Sequence, residues 1–513
     1  MYRKTNPEQL YLEDFKLQFG GKLRADNRWV KLSKHMPREL IEEIYARSLS
    51  ADIGAGAINS RIAFGSIYAK ENENWTDRST LENFLENPYF QYFLGYKEFQ
   101  MDPPFDASMM VHFRKRFPNE AINEINEAIF KSIALEVEER KNKPKPPSSG
   151  GGAVSEDAPA PSSDNPSNTA NDSENKCSEP EVATNKGKLI LDATCAPADI
   201  RYPTDLSLIN EARKNTEKII DILRPPNRAQ KRKNGRERKK AHNEFLAIIR
   251  QKRPGIRKIR AAIKKQLKYL SANLDLIDEL LCKKGFDNLG KKHMERLMTI
   301  CDLYFQQNMM NINQTNQCEG RIVSLRQPHV RPIVRGKAGK KYEFGQKIAL
   351  SVLGGYTFTE KQSFDNFNEG ITLIDSVKRY KERFGFYPEA VIADQIYRNK
   401  ENRDFCKLHG IRITGAKLAK PDMPLQEGLD PLEYQDYCER NIVEGRIGTS
   451  KRRFGLDLIM CYLPGTALTE GALQVLCMNF SLWLRFLFSL FCLLLESAFP
   501  RLQGYFSSPV SSC

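Results

Sequence analysis

Lys188-Leu189-Ile190-Leu191-Asp192-Ala193-Thr194 reads as a buried β-strand ending in a carboxylate, because a short unbroken apolar run suits a strand covered on both faces. Ala390-Val391-Ile392-Ala393-Asp394 is a second stretch of the same kind. An amphipathic helix over 370–384 precedes it, and a helix over 400–409 and a strand over 411–414 follow. β-branched, period-2 sequence at 321–325 and 347–353 predicts further strands, with Gly354-Gly355 as a turn before Tyr356-Thr357-Phe358. Alternation of this kind predicts an α/β domain with a mixed, partly parallel sheet. Ligands of open α/β sheets bind beyond strand ends, which makes Asp192 and Asp394 candidate site residues. A strand-end aspartate also serves as a helix cap or turn former, so each carboxylate needs a further partner.

Outward from these strands the chain divides by composition. Residues 141–186 are rich in Pro, Ser, Gly, Asn and Asp and cannot bury enough apolar surface to offset ordering, which predicts a disordered linker. Before it, helical apolar spacing over 37–51, 60–69, 79–94, 109–117 and 121–137 predicts an all-α amino-terminal domain at 1–140. Its aromatic run from Phe84 to Tyr96 has apolar neighbours and is read as core rather than as a base-stacking surface. Helices are expected over 206–223 and about 241–308.

The 513 residues carry 79 Lys+Arg against 64 Asp+Glu, a net charge of +15, which favours a polyanionic partner. From Arg228 to Lys268 there are 17 Lys/Arg and two acids, Glu237 and Glu244, so this segment equals the whole excess. Its first part, with Lys231, Arg232, Lys233, Arg236, Arg238, Lys239 and Lys240, is nearly free of apolar residues and reads as a flexible arm. A solvated face is the plain reading; phosphate neutralisation of like charges favours contact with the backbone of double-stranded DNA. Eleven scattered Cys without a C-x-x-C pair, and no secretory signal after Met1, suggest a reducing cytoplasm.

The third carboxylate comes from Tyr437-x2-Arg440-x3-Glu444-x6-Lys451, followed by Arg452 and Arg453. On a helix, offsets of three, four and seven put the four residues on one side. This spacing resembles the Tyr-Arg-Glu-Lys signature of the DDE transposases of bacterial insertion sequences, the IS-four/IS-five superfamily. Asp192 with Cys195–Pro203, and Asp394-Gln395-Ile396-Tyr397-Arg398 with Asn399, Asn402 and Arg403, resemble that family's first and second acidic blocks. Arg331–Lys337 with Glu343-Phe344-Gly345 resembles the lead into its central hairpin, and 84–113 resembles its amino-terminal domain.

The resemblance implies an α/β ribonuclease H-like catalytic core over 187–500, separate from the all-α amino-terminal domain at 1–140, which it implies binds DNA. Because 202 residues separate Asp192 from Asp394 and only 50 separate Asp394 from Glu444, the basic helical stretch at about 206–317 is expected to be an insertion. Residues 501–513 are expected to form a flexible tail. It further implies a metal-dependent transposase acting on transposon ends and target DNA, as a homodimer or larger assembly, in a bacterial cytoplasm at the nucleoid. Asp192, Asp394 and Glu444 would be the catalytic and metal-binding residues, and Tyr437, Arg440, Lys451, Arg452 and Arg453 would hold phosphates.

The chemistry agrees. Phosphodiester cleavage and strand transfer need Mg²⁺, or Mn²⁺, held by a few carboxylates, and two ions can activate the attacking oxygen and stabilise the leaving one. The six His are dispersed, none in a metal-spaced pair. Asp199, Asp205, Asp365, Asp404 and Glu439 are competing acids, with Glu439 the nearest rival to Glu444. Two other classes remain in view: an inactive or domesticated DNA-binding protein, and a membrane-associated protein through the apolar stretch 471–495. Arg485, Gln474 and Asn479 inside that stretch argue against a span, and a core-covering helix is expected there.

Overall fold

The computed structural model describes residues 2, 11–17, 20–50, 55–142, 185–225, 228–286, 288–334, 342–414 and 431–498. The expected linker therefore lies outside the described residues over 143–184, as do the expected tail at 501–513 and residues 335–337 of the expected lead into the central hairpin.

Seven helices come first: α1 (Arg28–His35), α2 (Arg38–Arg47), α3 (Ser60–Asn72), α4 (Asp77–Glu86), α5 (Pro88–Leu94), α6 (Met109–Arg116) and α7 (Asn119–Asn142). The helix expected over 79–94 is two, because Asn87 ends one and caps the next, with Pro88 in its first turn. α1 is an element that the apolar spacing did not predict. Strand β1 (Lys188–Pro197) follows. Next come α8 (Asp205–Leu223), α9 (Arg228–Ile249), α10 (Ile256–Lys284) and α11 (Lys291–Ile312). The chain then forms β2 (Arg331–Val334), β3 (Tyr342–Leu353), β4 (Tyr356–Ser363), α12 (Leu373–Phe384), β5 (Ala390–Ile392), α13 (Lys400–Leu408) and β6 (Arg412–Ile413). It closes with α14 (Pro431–Phe454) and α15 (Pro464–Ala498).

The six strands make one mixed sheet. β1 is central, antiparallel to β3 and parallel to β5, and β5 is parallel to β6. β2 and β4 pair in turn with the far edge of β3. On one face, Leu189, Leu191, Val391 and Ala393 pack with Val377 and Tyr380 of α12 and Cys406 of α13. On the other, Ile190, Val352 and Ile392 pack under Val443 of α14. Alternation along the strands thus assigns each residue to a helix layer.

Two expectations are corrected here. Residues 321–325 are not a strand: Ile322, Val323 and Leu325 are buried without ladder pairing, so their pattern records burial alone. The arm expected over 230–240 is helical, as part of α9. Arg238 pins that helix to α8 with 2.8 and 2.9 Å bonds to Asp221, a tertiary anchor that local composition does not reveal.

α15 also changes the expected division of the chain. Its Leu473, Leu476, Cys477, Phe480 and Trp483 complete the core of α1–α7, so the amino-terminal helices share their interior with the carboxy-terminal helix rather than forming a separate unit. Its polar residues bond inside that core. Asn479 donates to Asn126 Oδ1 (2.9 Å) and Thr357 O (2.7 Å), and Lys70 lies 2.7 Å from Glu71 and 3.3 Å from Glu470. Among the described residues no helix is long and apolar enough to cross a membrane, and the membrane reading of 471–495 is set aside.

Candidate active site

Register places the first two carboxylates. Ile190 of β1 lies level with Ile392 of β5, and two residues on from each come Asp192 and Asp394. β5 stops at Ile392, whereas β1 continues to Pro197 against β3, with Asp192 opposite Leu350. Asp192 is therefore not at the end of its own strand, as the sequence suggested, but beside the end of its parallel neighbour. The opening past β5 exposes it to the segments that follow.

Asp394 caps the short 3-10 turn Gln395–Tyr397, accepting from Gln395 N at 2.6 Å. The turn is braced by Asn402, whose amide donates to Tyr397 O (2.8 Å) and Gly370 O (2.7 Å). Asn399 caps α13 by accepting from Asn402 N at 2.8 Å.

α14 supplies the third carboxylate. Val443 sits on the sheet, so its neighbour Glu444 and the preceding turn's Arg440 fall at the edge of the same opening. Arg440 reaches both later acids, lying 3.7 Å from Asp394 and 3.5 Å from Glu444. Its charge also bears on Asp192. Burial pushes the Asp192 carboxyl up from 3.8 to about 6; the Ala193 N–H, donated at 2.8 Å, opposes this, Glu369 adds to it, Arg440 opposes it and Glu444 adds to it. Arg440 thus pairs with two of the acids, and its charge acts on the third.

The rival Glu439 belongs elsewhere. It lies 2.7 Å from Lys188, at the start of β1, four residues and roughly 13 Å of strand before Asp192. With Asp436, which binds Arg412, it docks the beginning of α14 onto the sheet. Asp205 accepts from Gln307 (2.8 Å) and Arg321 (2.6 Å), and Asp199 from Tyr462 (3.2 Å); both are structural. Asp365 and Asp404 are exposed.

One acid at the opening escaped sequence reasoning. Glu369 begins the 3-10 turn Glu369–Thr372 and pairs with Lys347 of β3 at 2.9 Å. No spacing rule connects it with Asp192; only the fold brings it there.

The signature residues share α14. Tyr437, Arg452 and Arg453 are exposed and Lys451 is half-buried, with Arg453 lying over the Phe454 ring at 5.4 Å. On α9, Arg236, Lys239 and Lys240 are exposed. Arg238 is spent on Asp221 and Glu217, which corrects its place among residues expected to reach phosphate. The side chains of Lys231, Arg232 and Lys233 lie outside the described residues.

Among the described residues no three His, Cys, Asp or Glu side chains converge closely enough to hold a metal ion; Arg440 stands between Asp394 and Glu444. The donors nevertheless suit a hard divalent cation. They are all carboxylate oxygens, one of them half-buried and resisting ionisation, and a positive side chain already offsets their charge.

Two stretches match known protein families: residues 391–481 match the Transposase DDE domain and residues 18–116 the Transposase domain (DUF772). The first contains Asp394, Glu444 and the α14 signature; Asp192 lies outside both. The chain is also similar to the uncharacterized protein ORF8 in the nfe locus of Rhizobium meliloti, 31% identical over 99 residues, which is 19% of this chain and 47% of that protein. The chain thus spans about half the length of this curated relative. No solved structure matches. Both family matches support the resemblance to DDE transposases of insertion sequences.

Proposed function

We propose that this chain, matched to transposase domains at both ends of its described fold, is a transposase that binds the terminal inverted repeats of an insertion sequence and cuts and joins DNA strands. The observation that carries the proposal is that Arg440 pairs with Asp394 and Glu444 while its charge also acts on Asp192, so that acids from a strand, a strand end and a helix face one opening. The sheet order β4-β3-β1-β5-β6, antiparallel on one side of β1 and parallel on the other, supports a ribonuclease H-like core. In this reading α8–α11 are an insertion into that core.

Asp192, Asp394 and Glu444 would hold Mg²⁺ or Mn²⁺, as two ions; when bound, these supply Lewis-acid stabilisation of the attacking and leaving oxygens. The protein's own part is placement. Tyr437, Arg440, Lys451, Arg452 and Arg453 line one helix and would fix the phosphates beside the scissile bond, on which in-line attack depends. Arg440 has a second use: without DNA it neutralises Asp394 and Glu444, and turning to a phosphate would release them. The exposed cations of α9 would grip duplex backbone without reading bases. The active complex would contain two or more copies.

The test is cleavage of a DNA fragment carrying the element's own ends. Wild type should cut it only with a divalent metal, and Asp394→Ala should bind the ends without cutting. Binding without metal-dependent cutting by wild type would instead favour an inactive or domesticated DNA-binding protein.

A further inference from the structure

Helix α11 is apolar on both sides. Inward, Ile300 and Leu303 pack with Leu208 and Ile209 of α8 and Leu267 and Leu270 of α10, and Leu297 packs with Ile277 and Leu281. A surface helix normally turns polar side chains outward, as α10 does with Arg257, Lys258, Lys264, Lys265 and Lys268. α11 instead exposes Met298 (64%), Phe305 (67%), Met309 (41%) and Ile312 (63%), with the exposed Cys301 among them. At 3.6 residues per turn these five fall within about 80° of the helix circumference and run for roughly 21 Å. Single apolar residues on a surface need no explanation, but a continuous stripe does.

The order of the stripe indicates what covers it. Met298 and Ile312 lie seven residues before and after Phe305, and Cys301 and Met309 lie four before and after it. A row that reads alike from both ends complements itself about a two-fold axis through its centre, as an isologous contact requires. Cys301, Phe305 and Met309 also form an i±4 row, the kind that interdigitates in the commonest helix crossing. Charge agrees. The exposed acids Glu295 and Asp302 flank the stripe and would repel DNA. With the second helix reversed, Asp302 stands level with Asn308 of the other copy and Glu295 level with its Thr315. With both helices in the same direction, each acid would stand level with its own counterpart, which is unfavourable.

We propose that the outer face of α11 pairs with the same face of a second copy, in the reversed direction and with Phe305 on the two-fold axis. The exposed parts of the five side chains amount to on the order of 450 Å² per copy, or about 900 Å² for the pair, against the ~1,200 Å² or more of a stable interface. The dimer is therefore weak and forms where copies are concentrated. The pairing goes beyond the proposed function and does not depend on it: it needs neither DNA nor metal, so either can fail alone.

The test is sedimentation equilibrium of the full chain over a concentration series without DNA or metal, with circular dichroism to check folding. Wild type should show a reversible monomer–dimer equilibrium. Phe305→Glu, which sets two carboxylates on the axis, should weaken it by about tenfold or more. Leu408→Glu, at another exposed apolar residue, on α13, should leave it unchanged. Air oxidation reads the direction. Met309→Cys should give a disulfide between the introduced thiol and Cys301 of the second copy, mapped by peptide mass, and adding Cys301→Ser should abolish it. Equal dimerisation by wild type and Phe305→Glu, or equal weakening by Leu408→Glu, would overturn the inference, and a disulfide between two introduced thiols would overturn the reversed pairing. If wild type stays monomeric at its highest soluble concentration, the cross-link decides: no disulfide to Cys301 overturns the inference.

Discussion

The opening past β5 and helix α9 are both strongly charged, but they hold charge in different ways. In the opening each charge is located by several elements: Asp192 by the register of β1 with β3 and β5, Asp394 by its cap on the turn after β5, Glu444 by the seat of α14 on the sheet. On α9 the cations Arg236, Lys239 and Lys240 share one exposed surface, and Arg238 is turned inward to α8. Located charge can stabilise a reacting group, since its geometry is fixed before substrate arrives. Dense exposed charge provides affinity that falls with salt and depends little on any single residue.

The largest expected effect lies in the opening. Asp192→Ala or Asp394→Ala should lower strand cleavage by roughly a thousandfold or more, since several kcal/mol of charge stabilisation are lost, while gel-shift affinity for the ends is retained. Lost binding, with the fold intact, would erase the contrast between the two regions. Next comes Lys451→Ala on the signature helix. Misplacing the phosphate is expected to slow strand transfer by up to about a hundredfold at saturating DNA. A normal rate would return Lys451 to the role of a solvated surface residue.

On α9, neutralising Arg236, Lys239 and Lys240 together should flatten the slope of log K against log salt by about 2–3 units on duplex DNA, with similar losses on specific and random sequence. Cleavage of DNA already bound should be unchanged. Arg238→Gln should behave differently, lowering the melting temperature by loosening α9 from α8 and leaving the salt slope nearly unaltered. An unchanged slope in the triple variant would show that α9 does not grip backbone.

The smallest effect concerns pH in metal-free protein. Folding raises the Asp192 carboxyl from 3.8 to about 6, so the folded state keeps this proton where the unfolded chain has lost it. Its contribution is full below about pH 4 and is lost as pH rises to about 6, a decline on the order of 3 kcal/mol. Denaturant melts of wild type and Asp192→Asn across that window should show the decline only in wild type. Parallel curves would mean that Asp192 is not burdened by its neighbours.

The sequence was most legible where one local pattern sufficed. The apolar runs before Asp192 and Asp394 suit buried strands, and the offsets of Tyr437, Arg440, Glu444 and Lys451 suit one helix side. It was least legible where distant contacts decide. The early part of α9 lacks an apolar stripe and is held in place by Arg238 on Asp221; Ile322, Val323 and Leu325 mimic a strand because they are buried. Glu369 carries no local signal, because the fold alone brings it to its ion-pair partner Lys347 on β3. The apolar length of α15 alone would permit a span; its polar residues Gln474, Asn479 and Arg485 pointed to a core-covering helix, and Asn479 and Glu470 bond within the shared core.

The central claim is that α14 contributes Glu444, not Glu439, to a centre built with Asp192 and Asp394. The most direct measurement is metal-dependent cleavage of end DNA by Glu444→Ala beside Glu439→Ala, each at saturating DNA and confirmed as folded. The geometry predicts no detectable cutting by Glu444→Ala and near wild-type cutting by Glu439→Ala, whose partner Lys188 lies at the start of β1. Cutting retained in Glu444→Ala and lost in Glu439→Ala would contradict the account.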